Sequence, residues 1–415
     1  MNIRHSAALC GASFLLLTSL VAAQDAPPTL EEMWAIVQHQ QAEIEALRAE
    51  LDETQQGVDA TQAKVAESEE RIEATGDFVE SLVAAESGPS KTSIGGYGEL
   101  HYSQIEADTG DSEEIDFHRF VLFFGHEFSD RVRFFSEFEL EHSLSGDGKP
   151  GEVELEQAYV EYALRDNLFA KTGLFLLPVG IMNETHEPPM FYGVERNNVE
   201  NIILPSTWWE AGAGLRGNLG NGISWDAAVH SGLAMPTSGG SAFRVRSGRQ
   251  KVAKADASDP AATFRLKYTG VPGLELAASY QYQWDPSQEA GDGLDSGQLF
   301  STHAVYQRER FGLRALYGSW NFDGDAIEAA DADSQSGWYI EPNFRVSDKW
   351  GVYARYEDLD AARDQDKFTQ SEFGFNYWPT DGVVLKMDFR SREFDLPSLG
   401  AADFDAIDLG FGYHF

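Results

Sequence analysis

Hydrophobic residues recur at two different periods along the chain, and the change of period divides it into two parts. In the first part an apolar residue returns every seven positions, at Leu30, Val37, Ile44, Leu51, Val58, Val65, Ile72 and Val79. This repeat is typical of an α-helical coiled coil with a left-handed supercoil. A single amphipathic helix lying on a surface would also show a stripe, but the narrow stripe and the polar remaining faces favour self-association. We therefore predict a coiled coil over residues 24–86.

The second part of the chain alternates with a period of two. Gly88 and Pro89 interrupt the helical pattern, so residues 87–93 are predicted to be a linker. From residue 94 to residue 415 apolar and polar positions alternate, as in β-strands with one apolar and one polar face. We count sixteen such segments, which start near residues 94, 115, 132, 153, 168, 207, 223, 262, 274, 297, 311, 337, 350, 367, 383 and 404. Residues 94–415 are therefore predicted to form an all-β domain of about 16 antiparallel strands.

The predicted connections between these strands alternate between short turns and long loops. The long ones cover roughly residues 104–114, 143–151, 175–206, 234–261, 285–296, 323–336, 358–366 and 392–403. A soluble β-sandwich would also show alternating strands, but tight turns at one end and long loops at the other are typical of a transmembrane barrel of an outer membrane. An even strand count returns both ends of the domain to the turn side. We therefore expect the preceding coiled coil to lie in the periplasm.

The charged residues of the strands fall almost entirely on the face opposite the apolar one. A midplane Arg or Lys facing lipid would cost about 2–4 kcal/mol, so the charged face is predicted to line a water-filled lumen. The basic residues that this register places in the lumen include Arg133, Lys171, Arg216, Arg265, Lys267, Arg314, Arg355, Lys386 and Arg390.

Residues 1–23 have the features of a secretory signal peptide. Arg4 lies in a positive start, an apolar run follows, and Ala22 and Ala23 offer a small-residue cleavage site. The single cysteine of the chain, Cys10, lies inside this segment. The predicted mature chain has no cysteine, which argues against disulfides, cysteine-ligated metals and thiol catalysis.

Composition narrows the classes of function further. The chain has 68 acidic and 31 basic residues and a formal net charge of −37. A field this negative repels nucleic acid, so we expect no nucleic-acid partner. Neither a G-x-S-x-G motif nor a P-loop occurs in the sequence, and the fragment GSWN at residues 318–321 is the nearest to an enzyme motif. We therefore predict that the protein is not an enzyme and has no cofactor or metal.

The longest predicted loop, residues 175–206, is too varied in composition for a passive linker. In a sixteen-stranded barrel such a loop can fold inward and narrow the channel, where its charges would set the local field. The candidate constriction residues are Glu184, Glu187, Glu195, Arg196 and Glu200. The alternative is an external loop that packs on neighbouring subunits, and the sequence leaves both open.

A basic segment runs against the acidic composition. Between Asp226 and Asp256 there is no acidic residue, yet five basic ones crowd together: Arg244, Arg246, Arg249, Lys251 and Lys254. Folded into the lumen, they would bind anions, because guanidinium groups offer paired donors to phosphate or carboxylate. Left outside, they would contact lipopolysaccharide phosphates. The sequence favours neither arrangement.

The chain ends in an alternating apolar stripe formed by Ile407, Leu409, Phe411, Tyr413 and Phe415. A terminal Phe on such a strand resembles the signal read by bacterial barrel-assembly machinery. We therefore expect that machinery to be a partner, through Phe415.

Two stretches resemble a known family. The sequence NETHEPPMFYGVERN within Gly173–Gly214, together with GEVELEQAYVEY at Gly151–Tyr162, is similar to the phosphate-selective porin O and P family. The resemblance covers most of residues 94–415 and implies a sixteen-stranded trimeric barrel for passive uptake of small anions. The phosphate-selective members rely on rows of lumen Arg and Lys. This chain departs from them, because fourteen lumen acids face eleven lumen bases in the predicted register.

These observations lead to one expected function and two alternatives. We expect an outer-membrane channel for small hydrophilic solutes, including anions such as phosphate, that contacts membrane lipid and lipopolysaccharide and forms a homotrimer. The first alternative is a structural role, with the barrel holding a periplasmic spacer in the membrane. The second is a barrel enzyme, which would require Ser/His or Asp/His groups near the rim.

Overall fold

The computed structural model describes residues 91–289, 293–397 and 401–415, together with Trp34, Gln38 and Gln41, which are helical. The predicted signal peptide (1–23), the rest of the predicted coiled coil (24–86) and the linker up to residue 90 lie outside the described residues. No helix among the described residues is long and apolar enough to cross a membrane.

Sixteen antiparallel strands form a closed barrel, in which each strand pairs with the next and the last pairs with the first. The strands are β1 (Thr92–Ala107), β2 (Ser112–Ser129), β3 (Val132–Glu141), β4 (Val153–Arg165), β5 (Leu168–Leu176), β6 (Trp209–Gly220), β7 (Ile223–His230), β8 (Ala261–Tyr268), β9 (Leu274–Gln283), β10 (Ser296–Arg308), β11 (Phe311–Asp323), β12 (Ser334–Arg345), β13 (Trp350–Asp360), β14 (Lys367–Thr380), β15 (Val383–Phe394) and β16 (Phe404–His414). The predicted strand count is confirmed.

Alternation sets the two faces of the wall, as β9 illustrates. Leu276 and Tyr280 are 42% and 45% exposed on the outside, whereas Gln281 and Gln283 are fully buried on the inside. The apolar outer face matches the hydrocarbon of a membrane. Polar side chains of the inner face form hydrogen bonds and ion pairs with one another and with the inserted loops. The period of two therefore dictates both the strands and their orientation.

One predicted connection is wrong. The first long loop, placed at residues 104–114, is a turn of four residues, 108–111, because β1 and β2 both continue further than predicted. Gln104 pairs with Glu113 and Ile105 with Ser112 in this extension. Backbone pairing continues beyond the apolar belt, although most side chains of this extension are polar. A polar sequence thus marks the end of the belt and not the end of the strand.

A hydrophobic core lies inside the barrel, where two loops meet the wall. The loop from β5 to β6 (residues 177–208, L3) and the loop from β7 to β8 (residues 231–260, L4) supply most of the loop side. Buried members from the loops include Leu177, Val179, Val199, Ile203, Leu204, Trp208, Leu233, Met235 and Val245. They pack against wall residues that include Leu299, Leu316, Trp320 and Tyr339. Short helical turns occur in L3 at Pro188–Met190 and Val199–Ile203, in L4 at Val245–Gly248, and beyond them at Asp325–Ala329 (α1) and Asp364–Asp366.

Candidate functional site

L3 folds into the lumen instead of extending outwards. Its two ends are joined through Asn183, whose side-chain amide donates to the Leu177 carbonyl at 2.8 Å and to the Trp208 carbonyl at 3.0 Å. The Asn183 side-chain oxygen accepts from the Trp208 backbone N–H at 2.6 Å. Buried polar groups require such partners, so this arrangement makes L3 a closed unit inside the barrel. Of the two arrangements left open by the sequence, the structure therefore has the inward one.

Glu200 holds the middle of L3 together. One carboxylate oxygen accepts from the backbone N–H groups of Ile181 at 2.5 Å and Met182 at 2.6 Å. The other accepts from the Asn197 side-chain amide at 3.0 Å and from the Tyr339 hydroxyl on β12 at 2.9 Å. Glu200 is only 1% exposed, so this candidate constriction residue is buried and holds L3 in shape through its hydrogen bonds.

The second half of L3 is held against β1, β13 and β15. The Glu195 carboxylate lies 2.8 Å from His101 Nδ1. Lys386 donates to the Gly193 carbonyl at 2.7 Å, and the Asn198 backbone N–H donates to the Glu357 carboxylate at 2.6 Å. Burial raises the pKa of Glu195, but the charge and hydrogen bond of His101 outweigh burial and hold that pKa well below its ordinary value. These contacts attach the second half of L3 to this side of the wall.

The first half of L3 faces an open space. Arg265 on β8 donates to the Glu184 carboxylate and also to Asp226, the latter at 2.8 Å and 3.0 Å. His186 Nε2 lies 3.2 Å from the Glu137 carboxylate on β3. Burial raises the pKa of Glu184, but the charge and hydrogen bonds of Arg265 lower it below its ordinary value. L3 therefore presents ionised carboxylates to this part of the wall.

A polar cavity of about 530 Å³ lies between this half of L3 and the wall. Its charged and polar lining consists of Glu137, Gln157, Glu161, Lys171, Glu184, His186, Glu187, Arg216, Asp226, Arg265 and Lys267. A second cavity of about 290 Å³, nearer the turn end, shares four of these residues with it: Arg216, Asp226, Arg265 and Lys267. Two polar cavities thus lie along β6 to β8, one beside L3 and one nearer the turn end.

Most of the predicted lumen bases are neutralised by carboxylates. Of the nine lumen bases named above, seven make ion pairs: Arg133 and Arg216 with Glu161, Arg265 with Glu184 and Asp226, Lys267 with Glu275, Arg314 with Glu341, Arg355 with Glu341, Glu357 and Glu372, and Arg390 with Asp408.

Lys386 and Lys171 are the two exceptions. Lys386 donates to the Gly193 carbonyl of L3. The Lys171 ammonium lies 4.2 Å from the centre of the Phe175 ring and makes no ion pair with a described carboxylate. Lys171 is therefore a cavity-lining cation whose charge is not cancelled by direct contact.

The basic segment of L4 binds other parts of the chain. Arg246 donates to the Ser206 carbonyl at 2.6 Å and to the Asn201 carbonyl at 3.2 Å, and Arg249 donates to the Thr207 carbonyl. Burial lowers the pKa of Arg246, and the neighbouring charge of Arg249 lowers it further. These two guanidinium groups, which the sequence offered as anion-binding groups, instead bind carbonyl oxygens of L3.

The remaining members of the segment lie further out. Arg244 forms a paired contact with Asp366 at 2.6 Å and 2.7 Å. Lys251 lies between Glu152, at 2.5 Å, and Glu154. Lys254 is exposed. The segment therefore fastens L4 to L3 and to neighbouring elements.

The contact made by Arg196 and the position of Glu156 were not predicted from the sequence. Arg196, placed by the sequence at the constriction, donates to the His186 carbonyl at 3.4 Å, within L3. Glu137 and Phe138 of β3 pair with Gln157 and Leu155 of β4. Glu156 of β4 is therefore an extra residue and forms a β-bulge. A bulge shifts the alternation and brings Glu156, fully buried, to the inner face. The sequence GEVELEQAYVEY marks this bulge, because its alternation of polar and apolar residues shifts by one position at Glu156 and Gln157.

A closed barrel of sixteen antiparallel strands with a loop folded into its lumen is the architecture of an outer-membrane porin. The model of the family described as phosphate-selective porin O and P matches residues 95–415, and the chain belongs to this family. Family and fold together support residence in the outer membrane and point to a channel rather than an enzyme.

Solved structures and a sequence relative show the same likeness. The anion-selective porin from Comamonas acidovorans has a TM-score of 0.56 and 12% identity, over 79% of this chain and 100% of that one. The outer-membrane channel DcaP of Acinetobacter baumannii has a TM-score of 0.55 and 12% identity, over 78% and 97%. An uncharacterised protein of Aquifex aeolicus is 30% identical over 334 residues, 73% of this chain and 76% of that protein.

Proposed function

We propose that this porin is a passive, weakly charge-selective channel for small hydrophilic solutes, whose narrowest part lies between L3 and the wall of β5 to β8. The observation that carries the proposal is the polar cavity beside Glu184 and Glu187. Solutes would exchange part of their hydration shell for these side chains, so the size of the opening and its charges would set the selection. Glu195, Arg196 and Glu200 would shape L3.

The pairing of lumen charges argues for weak selectivity. Seven of nine lumen bases have a carboxylate partner, so the field along the channel is small compared with that of an unpaired row of arginines. Of the two bases without such a partner, Lys171 lines the cavity and would attract anions, including phosphate, at one point. We infer that phosphate passes through this channel as one small anion among others.

Planar-bilayer recording of the purified full chain tests this function. We expect discrete conductance steps and a reversal potential near zero in a potassium chloride gradient. Swelling of liposomes that contain the protein should report entry of small neutral sugars. The absence of conductance would overturn the channel proposal in favour of a structural role in the membrane, and a large reversal potential would overturn weak selectivity.

We also propose that residues 1–23 are a signal peptide and that residues 24–86 form a periplasmic coiled coil which supports a homotrimer. The first and last strands support this placement, since Gly96 and Phe415 pair through backbone hydrogen bonds of 3.0 Å and 2.9 Å near the turn end. Lipopolysaccharide would surround the loop end, and assembly machinery would read Phe415. Light scattering of the wild type and of an Ile44→Glu, Leu51→Glu variant tests the trimer, because the charges should break it.

A further inference from the structure

Three side chains with metal-binding atoms meet at the loop end of β2 and β3. His118 Nδ1 lies 3.1 Å from Asp116 Oδ2, and His142 Nδ1 lies 2.7 Å from the same oxygen. The ligand atoms of all three residues lie within 4.8 Å of one another. Two imidazoles and a carboxylate therefore converge on one point.

Two local departures from regular strand geometry create this convergence. Glu99 pairs with Arg119, but His101 pairs with Asp116, so β2 contains an extra residue between these pairs. Such a bulge re-aims side chains, and here both His118 and Arg119 contact residues of the inner face. His142 follows β3 with a φ of 51°, in the left-handed region, and its backbone N–H donates to the His118 carbonyl at 3.0 Å.

The surrounding side chains hold the cluster in place and leave it open to water. The His118 ring stacks on His101 with centroids 4.8 Å apart and meets His142 edge-on at 5.4 Å. Both nitrogens of His101 are engaged, with Glu99 at 3.2 Å and Glu195 at 2.8 Å. The side chains of Asp116, His118 and His142 are 19%, 26% and 32% exposed. An ion from solution can therefore reach ligands whose orientation is already fixed.

The donor set identifies the class of ion. Imidazole nitrogen suits zinc, copper, nickel and iron, whereas calcium and magnesium prefer oxygen alone. Three protein ligands complete three positions of a tetrahedral zinc site and leave the fourth to water. We propose that Asp116, His118 and His142 bind a divalent first-row transition-metal ion, such as zinc, at the loop end of the barrel. This site does not depend on the proposed solute path.

Another cluster provides the sharpest contrast. Glu137, Glu156 and His186 also have ligand atoms within 4.8 Å of one another, but all three side chains are buried where L3 meets the wall. This cluster borders the polar cavity beside L3, whereas the cluster of His118 and His142 lies at the loop end of the barrel. The two sites can be separated by substitution.

Titration calorimetry with zinc chloride tests the proposal on the full chain, purified in detergent and stripped with a chelator. We expect a binding event that calcium does not compete for. His118→Ala and His142→Ala should each weaken it by at least about tenfold, a loss that even outer partners of metal ligands produce. His303→Ala, in the lumen beside Glu275, is the matched control and should leave binding unchanged. Cobalt in place of zinc should give the intense visible absorption of a tetrahedral site.

Asp116→Asn keeps the shape of the cluster and removes only its charge, so it reports on the ligand role if an alanine variant fails to fold. Heat-resistant migration in gels and circular dichroism establish that each variant is a folded barrel. Unchanged zinc affinity in folded Asp116→Asn and in the folded His118→Ala, His142→Ala double variant would overturn the proposal. So would binding that is lost only in His186→Ala, because this result would assign the ion to the buried cluster.

Discussion

The Tyr339 hydroxyl on β12 donates a hydrogen bond of 2.9 Å to the Glu200 carboxylate of L3, and both side chains are buried inside the barrel. This contact joins the inserted loop to the wall. The other oxygen of Glu200 serves the backbone N–H groups of Ile181 and Met182. One carboxylate thus connects two distant parts of L3 and the barrel, and the shape of the channel depends on it.

Removal of this carboxylate should loosen L3. In Glu200→Ala the two backbone N–H groups lose their acceptor, at a cost of about 1–3 kcal/mol for each buried group left unpaired. We expect larger current fluctuations in single-channel records and faster protease cleavage within residues 177–208. Tyr280→Phe, which removes an exposed tyrosine hydroxyl on the outer face, is the control. Quiet currents in Glu200→Ala would contradict the role of Glu200.

Neutralisation of Lys171 should shift ion preference towards cations. A unit charge about 7 Å from a permeating ion in water contributes about 0.6 kcal/mol, a factor of about 2.7 in relative permeability. The reversal potential of Lys171→Gln in a potassium chloride gradient measures this change. Lys254→Gln, an exposed L4 variant, should behave like the wild type. Equal reversal potentials for Lys171→Gln and the wild type would show that the ammonium does not act on permeating ions.

Loss of Arg265 should have a larger effect on selectivity than loss of Lys171. Arg265→Gln leaves Glu184 and Asp226 without their shared cation, so the cavity gains uncompensated negative charge. We expect a marked shift towards cations in the reversal potential. The double variant Arg265→Gln, Glu184→Gln should recover part of the wild-type value, since one of the two exposed charges is then removed. Additive effects of the two substitutions would contradict a coupled pair.

Acid should release the part of L3 that Glu195 holds. The pKa of Glu195 is lower in the closed loop than its ordinary value of 4.5, so the closed loop binds fewer protons than the released one. The stabilisation is therefore complete above pH 4.5 and declines as the pH falls towards the lowered pKa. Channel fluctuations should increase below pH 4.5, and Glu195→Gln should reduce this acid response. A response that begins well above pH 4.5 would assign it to another group.

Weakening the contact between L4 and L3 should alter channel noise more than selectivity. Arg246→Gln and Arg249→Gln remove donors to the carbonyl oxygens of Ser206, Asn201 and Thr207. We expect more frequent changes of conductance with a reversal potential close to that of the wild type. A strong shift of the reversal potential instead would mean that these guanidinium groups face permeating ions.

Period and charge predicted the wall but not its interior. On β9, the alternation from Leu274 to Gln283 determined strand, face and register together, because membrane and water impose opposite demands on the two faces. The same rule failed at Glu156 and His118, where bulges place consecutive polar residues on one side. Strict alternation of polar and apolar residues does not reveal where a strand contains an inserted residue.

The partners of the loop charges could not be read from the sequence. Arg246 and Glu200 both looked like channel residues because they are charged and lie in long connections. Each instead satisfies backbone groups that folding L3 into the barrel removes from water. Which backbone groups become buried depends on the path of L3. That path depends on contacts with strands far away in the chain, so local sequence does not reveal it.

The proposed solute path runs beside the first half of L3, where thiol labelling can block it. Cys10 is the only cysteine and lies in the predicted signal peptide, so a single thiol can be introduced into the mature barrel. Glu187→Cys places it in the cavity lining, and Leu276→Cys places it on the outer face as a control. A bulky thiol reagent should reduce the single-channel current of Glu187→Cys and leave that of Leu276→Cys unchanged. Full current through labelled Glu187→Cys would contradict a solute path beside Glu187 and the first half of L3.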